Sequence, residues 1–466
     1  MEGDESMLRQ LFIGLVTLVV LVVGGLVEGC DNGGLSAKRL NDTAQVSSNG
    51  EDFNSEDSEV APQSVKEQKV CDFQRGWAHD VRGGLGGKIV KVTTLAPTGP
   101  GSIKEALDSK GARVVVFEVG GAIDLGKESL VVKEPFLTIA GQTAPDPGIT
   151  LINGELIVAT HDVVVQHIRV RPGQGSHGKG WAPDGISLEA AYNVIIDHCS
   201  ISWAIDENLS ASGPRFEGKT PDEWRRNTSH TITFSNNIIA EGLNKSTHPY
   251  GKHSKGSLIH DNVTAVLIYE NLYASNADRN PLFKGGSRGA IVNNYMYNSK
   301  RYGPSYALIE NEWGTLPHQV GALSLVGNVF QAGPDTDTDK AAFFNLVFGP
   351  LVAYFEDNVA LDVDGSELPL LHEAKFTSVT ELPVAPFWPS GLKVYPASEI
   401  KERIRINVGA RPWARDDIDA RIVAQSIDGV GRVIDSENDV GGYLSQQEAY
   451  GVFDQSKWDD CFNRKE

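Results

Sequence analysis

Basic residues are in deficit: 42 Lys and Arg stand against 61 Asp and Glu in a chain of 466 residues, a formal net charge of −19. That excludes nucleic acid as the main partner, because phosphate recognition needs a basic face that releases counterions. A polyanion of another kind would need local cations or a metal. Cysteine is scarce as well. Cys30, Cys71, Cys199 and Cys461 form no CxxC pair and no metal-finger spacing, which argues against a zinc or redox cysteine site. Long apolar runs are missing except at residues 11–27, and helical periodicity is rare throughout.

Arg9, the apolar run and the small residues that lead to Cys30 read as an export signal over residues 1–30. Three forms stay open: a lipoprotein signal with Cys30 as the lipidated residue, a plain signal peptide, or a retained anchor helix near the short limit for a span. Glu28 is unusual two places before a lipidated cysteine. Residues 31–68 are polar, acidic and aperiodic, and read as a disordered tether; residues 69–466 read as the folded domain. The expected location is therefore extracellular or in the cell envelope, with any membrane attachment through the N-terminus alone. In an oxidising compartment Cys71 and Cys461 are candidates to pair across the folded region, although sequence leaves connectivity open.

From about residue 85 short β-branched runs alternate with Gly, Asn, Asp and Pro. One unit recurs: VVVQHIRV (163–170), VIIDHCSI (194–201), ITFSNNII (232–239), VLIYENLY (266–273), AIVNNYMY (290–297), LSLVGNVF (323–330) and VAYFEDNV (352–359). Its polar pairs end at His167, His198, Asn237, Asn271, Asn294, Asn328 and Asn358, at intervals of about 23 to 39 residues. Such units bury their apolar faces only by stacking, so they predict an all-β solenoid of parallel sheets with equivalent side chains in ladders. The asparagines are then structural, each amide bonding to the next coil. Two segments read as helices covering solenoid ends: residues 102–111, capped by Ser102 and ended by Gly111, and residues 414–427, with an apolar stripe through Ile418, Ile422 and Val423.

Charged residues gather on consecutive coils. Asp184, Asp197, Asp206 and Glu207 come first, and hard carboxylates without His or Cys at metal spacing suit calcium. Lys252, His253, Lys255, Arg279 and Lys284 follow on the next two coils. Stacking sets these coils side by side, which predicts a mixed-charge groove along the solenoid. Trp203 and Tyr250 are aromatic candidates to line it, with Trp203 equally placed to pack beneath the groove. His198 is expected in the coil interior.

The segments GGLGGKIVKVTTL, GPGSIKEAL, TIAGQTAPDPGITL, NVIIDHCSISWAIDE, HSKGSLI, RNPLFKGG and GARPWARDDIDARIV together resemble the polysaccharide lyases of the pectate lyase type, over nearly all of residues 83–442. The resemblance implies a right-handed, single-stranded parallel β-helix with short capping helices, acting on polygalacturonate or pectin with Ca2+ as cofactor. Position by position, Arg279, Pro281 and Lys284 match the family's R-x-P-x-x-R/K signature: Arg279 in the place of the catalytic base, Lys284 in that of a substrate-binding cation. Lys255 matches the lysine that binds the substrate carboxylate, and His253 is expected to position substrate. Asp184 and Asp206 match two calcium-binding aspartates. The third acidic position is Ser210 here, a departure that puts calcium stoichiometry in doubt and leaves Glu207 as a candidate replacement. A monomer is expected.

The implied chemistry is removal of the C5 proton beside a uronate carboxylate, followed by loss of the 1,4-linked chain, giving a 4,5-unsaturated product. Arginine is an awkward base, since its ordinary pKa is above about 12. Alternatives stay open: a pectin lyase acting on methyl-esterified chains, a hydrolase using Asp206 and Glu207, or a non-catalytic surface β-helix that binds acidic polysaccharide.

Overall fold

Alternating apolar residues fold into strands here because their two-residue period lets every inward side chain join one core. Val163, Val165, Ile168 and Val170 of one coil, Val194, Ile196, Ile201 and Leu209 of the next, and Ile232, Phe234 and Ile239 of a third are all fully buried. The computed structural model describes residues 71–372, 379–445, 447–462 and 465; the export signal, Cys30 and most of the acidic tether lie outside them. Among the described residues the strands form three sheets of 11, 9 and 10 strands, here the first, second and third. Each coil passes through the first, the third and then the second sheet, as in Tyr192–Asp197, Ser200–Ser202 and Glu207–Ser212. Neighbouring strands pair in parallel, apart from the short strand Ala449–Tyr450 against Val119 and Gly120 and an isolated antiparallel bridge between Leu361 and Glu367. This is a right-handed parallel β-helix.

The corner between the first and third sheets is one residue in the left-handed region followed by one ladder residue. His167, His198, Asn236, Glu270 and Asn293 have φ between 48° and 57°. The ladder is continuous: Asn237 Nδ2 donates to Asn271 Oδ1, Asn271 to Asn294 and Asn294 to Asn328, each at 3.0 Å, and Asn328 to Asn358 at 2.9 Å. The two histidines do not belong to it, contrary to expectation. Asp197 pairs with Ser235, so His198 is level with Asn236 and Cys199 with Asn237, and the Cys199 N–H donates to Asn237 Oδ1 at 2.8 Å. Nor is His198 interior: its half-buried ring stacks on His167, 5.0 Å between centroids.

The described residues include five α-helices. Helix α1 (Ile103–Asp108) is capped by Ser102, which accepts from the Glu105 N–H, and buries Ile103, Ala106 and Leu107 against the first coil. Helix α2 (Pro221–Asn227) carries a Thr220/Glu223 capping box, and α3 (Glu310–Trp313) is one turn. Helix α4 (Ala397–Asn407) was not apparent in the sequence, its buried face being only Ala397, Ile400 and Ile404. Helix α5 (Asp417–Asp428) does not cover an end. Its stripe packs beside Trp203, Ile238, Leu272 and Tyr295 on the flank of the third sheet. Arg171, fully buried there, donates to Asp416 and Asp419, both at 2.7 Å. A buried guanidinium without acidic partners is costly, so the acids of the first helical turn hold α5 to the flank. Trp203 is fully buried in this interface, whereas Tyr250 is exposed.

Cys71 and Cys461 form a disulfide with a sequence separation of 390. Closing so long a loop restricts the unfolded chain and contributes about 2–5 kcal/mol.

Candidate active site

The site lies at another corner of the coils, where loops leaving the third sheet enter the second. Four successive loops contribute Asp184, then Asp206, then His248 and His253, then Asp278 and Arg279. Strand register aligns them, Glu207 opposite Lys255 and Lys255 opposite Asp278. With coils about 4.8 Å apart the group extends roughly 15 Å along the solenoid.

A second asparagine network holds the loops from beneath. Asn208 Nδ2 donates to Asn276 Oδ1 at 3.0 Å, and Asn276 Nδ2 to Asn280 Oδ1 at 3.1 Å. The Ser257 N–H donates to the Arg279 carbonyl at 2.7 Å. Arg279 has φ of 61°, a conformation that costs a non-glycine residue energy and persists only where its surroundings fix it. Gly256 permits that packing, since a Cβ there would stand 2.5 Å from the Arg279 carbonyl oxygen.

Carboxylates crowd one side of the cluster. Asp184 accepts from the Glu207 N–H at 3.1 Å and from the Ser210 hydroxyl, which also reaches Ser187. Glu155 accepts from the Asp184 N–H at 3.0 Å. Ligand oxygens of Asp184, Asp206 and Glu207 all lie within 4.8 Å of one another. Burial, with Asp206 and Glu155 nearby, pushes the Asp184 carboxyl well above the usual aspartate range. Such crowded oxygens with a raised carboxyl form a set a hard divalent cation would relieve, so these residues fit calcium. Glu207 enters the set, while Ser210 serves it indirectly through Asp184.

Asp206 has a second role. His253 Nε2 lies 2.5 Å from one of its oxygens and His248 Nε2 3.5 Å from the other, the two rings stacked 3.7 Å apart. Burial acts to raise Asp206, but the His253 bond and the His253, His248 and Arg279 charges prevail and hold it low. These three residues also have metal-binding spacing. However, the Tyr250 N–H donates to His248 Nδ1 at 3.2 Å, so in neutral His248 the ring proton is on Nε2 and faces Asp206 as a donor. The oxygen set is therefore the better cation site.

Arg279 lies against Glu207. Burial pushes its guanidinium below the ordinary value, against the opposing pull of Asp206, Asp184 and Glu312. Lys255 donates to Asp278 at 2.9 Å, which leaves two ammonium protons for another partner. Lys284 is not brought into this cluster. It is 5% exposed, at the end of strand Leu282–Lys284, with Nζ paired to Glu312 of α3 and 3.6 Å from Asp261. Sequence reasoning missed Glu155, His248, Asp278 and the Asn208, Asn276 and Asn280 support. His248 and Asp278 adjoin motifs that were recognised, whereas Glu155 sits in an unmarked turn.

Fold and site together define a parallel β-helix with a mixed-charge cluster along its coils. No family model matches the chain. Among curated proteins it is 31% identical over 375 residues to the probable pectate lyase C of Emericella nidulans, covering 79% of this chain and 78% of that relative. It is 30% identical over 380 residues to the probable pectate lyase C of Aspergillus flavus, covering 79% and 80%. Among solved structures, a pectate lyase bound to hexasaccharide superposes with a TM-score of 0.51 at 12% identity, covering 75% of this chain and all of that one. Jun a 1, the major allergen from cedar pollen, gives 0.50 at 16% identity, covering 72% and 92%. The chain belongs to the pectate lyase family and is a polysaccharide lyase.

Proposed function

We propose that this protein is an exported pectate lyase that cleaves de-esterified 1,4-α-D-galacturonan by calcium-assisted β-elimination. The observation that carries the reading is the alignment of Arg279 and Lys255 with the carboxylates of Asp184, Asp206 and Glu207 on adjacent coils. Residues 1–30 would direct export, leaving the protein secreted or held at the envelope through Cys30, and residues 31–68 would tether the domain formed by 69–466.

Lys255 holds the uronate carboxylate of the reacting sugar with its remaining donors. Arg279 removes the proton at C5, the C4–O bond breaks, a C4=C5 double bond forms, and the departing oxygen is reprotonated from solvent. Arg279 must be neutral to do so. Burial already moves it that way, and the charges of Asp206 and Asp184 are the main opposition. Any offset of these two charges shifts Arg279 further toward the neutral base. Asp184, Asp206 and Glu207 would hold calcium, which supplies positive charge for the electron density that develops on the substrate carboxylate. His253 keeps Asp206 ionised and oriented.

The test is ultraviolet absorbance of products from polygalacturonate with and without a chelator. An absorbing product that the chelator suppresses is expected.

Calcium binding has a test independent of turnover. With the Asp184 carboxyl raised, the ion-free folded state holds this proton more tightly than the unfolded chain. The stability it contributes is full below the ordinary aspartate range and is lost as pH rises through the raised value. Asp184→Asn removes that loss and still accepts from the Glu207 N–H. In chelator at neutral pH this variant is expected to melt above the parent, and calcium is expected to raise the melting temperature of the parent only. Differential scanning calorimetry reads both.

A further inference from the structure

Two stretches that catalysis leaves unused, Asp197 with His198 and the loop at 409–415, meet at a cavity of about 910 Å3. It sits at the corner between the first and third sheets, whereas the lyase cluster sits where the third sheet leads into the second.

The cavity offers aromatic faces. Trp413 is 58% exposed at its rim, and Phe453 and Trp458 line it. The Trp413 loop is pinned: the Ala410 N–H donates to Ser200 Oγ at 2.9 Å, and Arg415 donates to the Arg405 and Val408 carbonyls, both at 2.9 Å. An exposed indole on a fixed loop loses little conformational freedom when it covers a ligand ring.

Polar groups on the wall lack partners. Gln142 Oε1 and Arg411 Nε are buried without a hydrogen bond among the described residues. One is an acceptor and the other a donor, and an orphaned buried polar atom costs about 1–3 kcal/mol unless something satisfies it. A hydroxyl group can do either. Carboxylates outnumber cations here: Asp72, Asp146, Asp197 and Asp454 line the cavity with Arg75, Arg411 and Lys457. Arg411 lies 3.5 Å from Asp146, Lys457 lies 3.9 Å from Asp454, and Arg75 acts on the Asp197 carboxylate. A uronate would meet a carboxylate beside each of these cations.

We infer that this cavity is an accessory carbohydrate site for a neutral hexose oligosaccharide, with one sugar ring over Trp413 and its hydroxyls bonded to Gln142 and Arg411. Such a site lets the protein hold a neutral chain next to an acidic one that it cleaves. The inference goes beyond the lyase reading and does not depend on it.

Isothermal titration of the full chain carrying Arg279→Ala tests it without turnover. The probes are galactotetraose, cellotetraose and mannotetraose, with tetragalacturonate as the acidic counterpart of the first. At least one neutral tetrasaccharide is expected to bind, and Trp413→Ala and Gln142→Ala are each expected to weaken it by about tenfold or more. With Arg279 restored, Trp413→Ala is expected to leave pectate turnover within about twofold of the parent. The inference is overturned if no neutral probe binds at millimolar concentration, if both substitutions leave binding unchanged, or if only tetragalacturonate shows Trp413-dependent binding.

Discussion

Arg279→Ala is expected to slow formation of unsaturated product from polygalacturonate by at least about 10³-fold, or about 4 kcal/mol of barrier. The loss should fall on kcat, because Lys255, proposed above to hold the substrate carboxylate, is untouched. The argument rests on position and charge together. Arg279 is held in a left-handed conformation by Ser257 and by the asparagines below it, and its side chain is largely buried beside Glu207. A surface clamp would need neither that support nor that burial. If Arg279 served only to hold Glu207 in place, the variant would show a raised KM and weaker calcium binding with kcat retained. Steady-state kinetics at saturating calcium separates the two.

The largest expected effect on stability is Asn271→Leu. Asn271 Oδ1 accepts both the N–H and the Nδ2 of Asn237, and its own Nδ2 donates to the Phe234 carbonyl and to Asn294 Oδ1. Leucine removes all four bonds in a place where water does not reach, since Asn237 and Asn271 are fully buried. Each orphaned group costs about 1–3 kcal/mol, so a loss of about 3–5 kcal/mol is expected. The fall in urea midpoint measures it, with the exposed Lys340→Ala as the control expected to change little. A midpoint shift no larger than that of the control would mean that the ladder contributes order without stability.

Much of this architecture was legible because a stacked coil repeats its requirements. Five asparagines mark one corner of the helix, and the apolar pairs around them mark the strands. The histidines at 167 and 198 misled because the left-handed corner residue immediately precedes the ladder residue, so a one-place error in register exchanges a corner side chain for a ladder one. Helix α5 was found but misplaced. Its destination is set by Arg169 and Arg171, some 250 residues away, and nothing local announces that partnership. At the site, Asp184, Asp206, Glu207, Lys255 and Arg279 are brought together through neighbouring coils, the relation that stacking predicts. Lys284 instead pairs with Glu312, which is supplied by α3, a single turn absent from the repeat pattern. Glu155 could not be found in advance, for its interest lies in its contact with Asp184, whose N–H it accepts and whose carboxyl it helps to raise.

The central claim is elimination assisted by a cation, and the chemical form of the product tests it most directly. Purified protein incubated with de-esterified polygalacturonate and calcium should give oligosaccharides with an ultraviolet-absorbing, unsaturated non-reducing end, and a chelator should stop their appearance. Saturated, non-absorbing products, absorbing products that persist undiminished in chelator, or no cleavage over long incubation would contradict it.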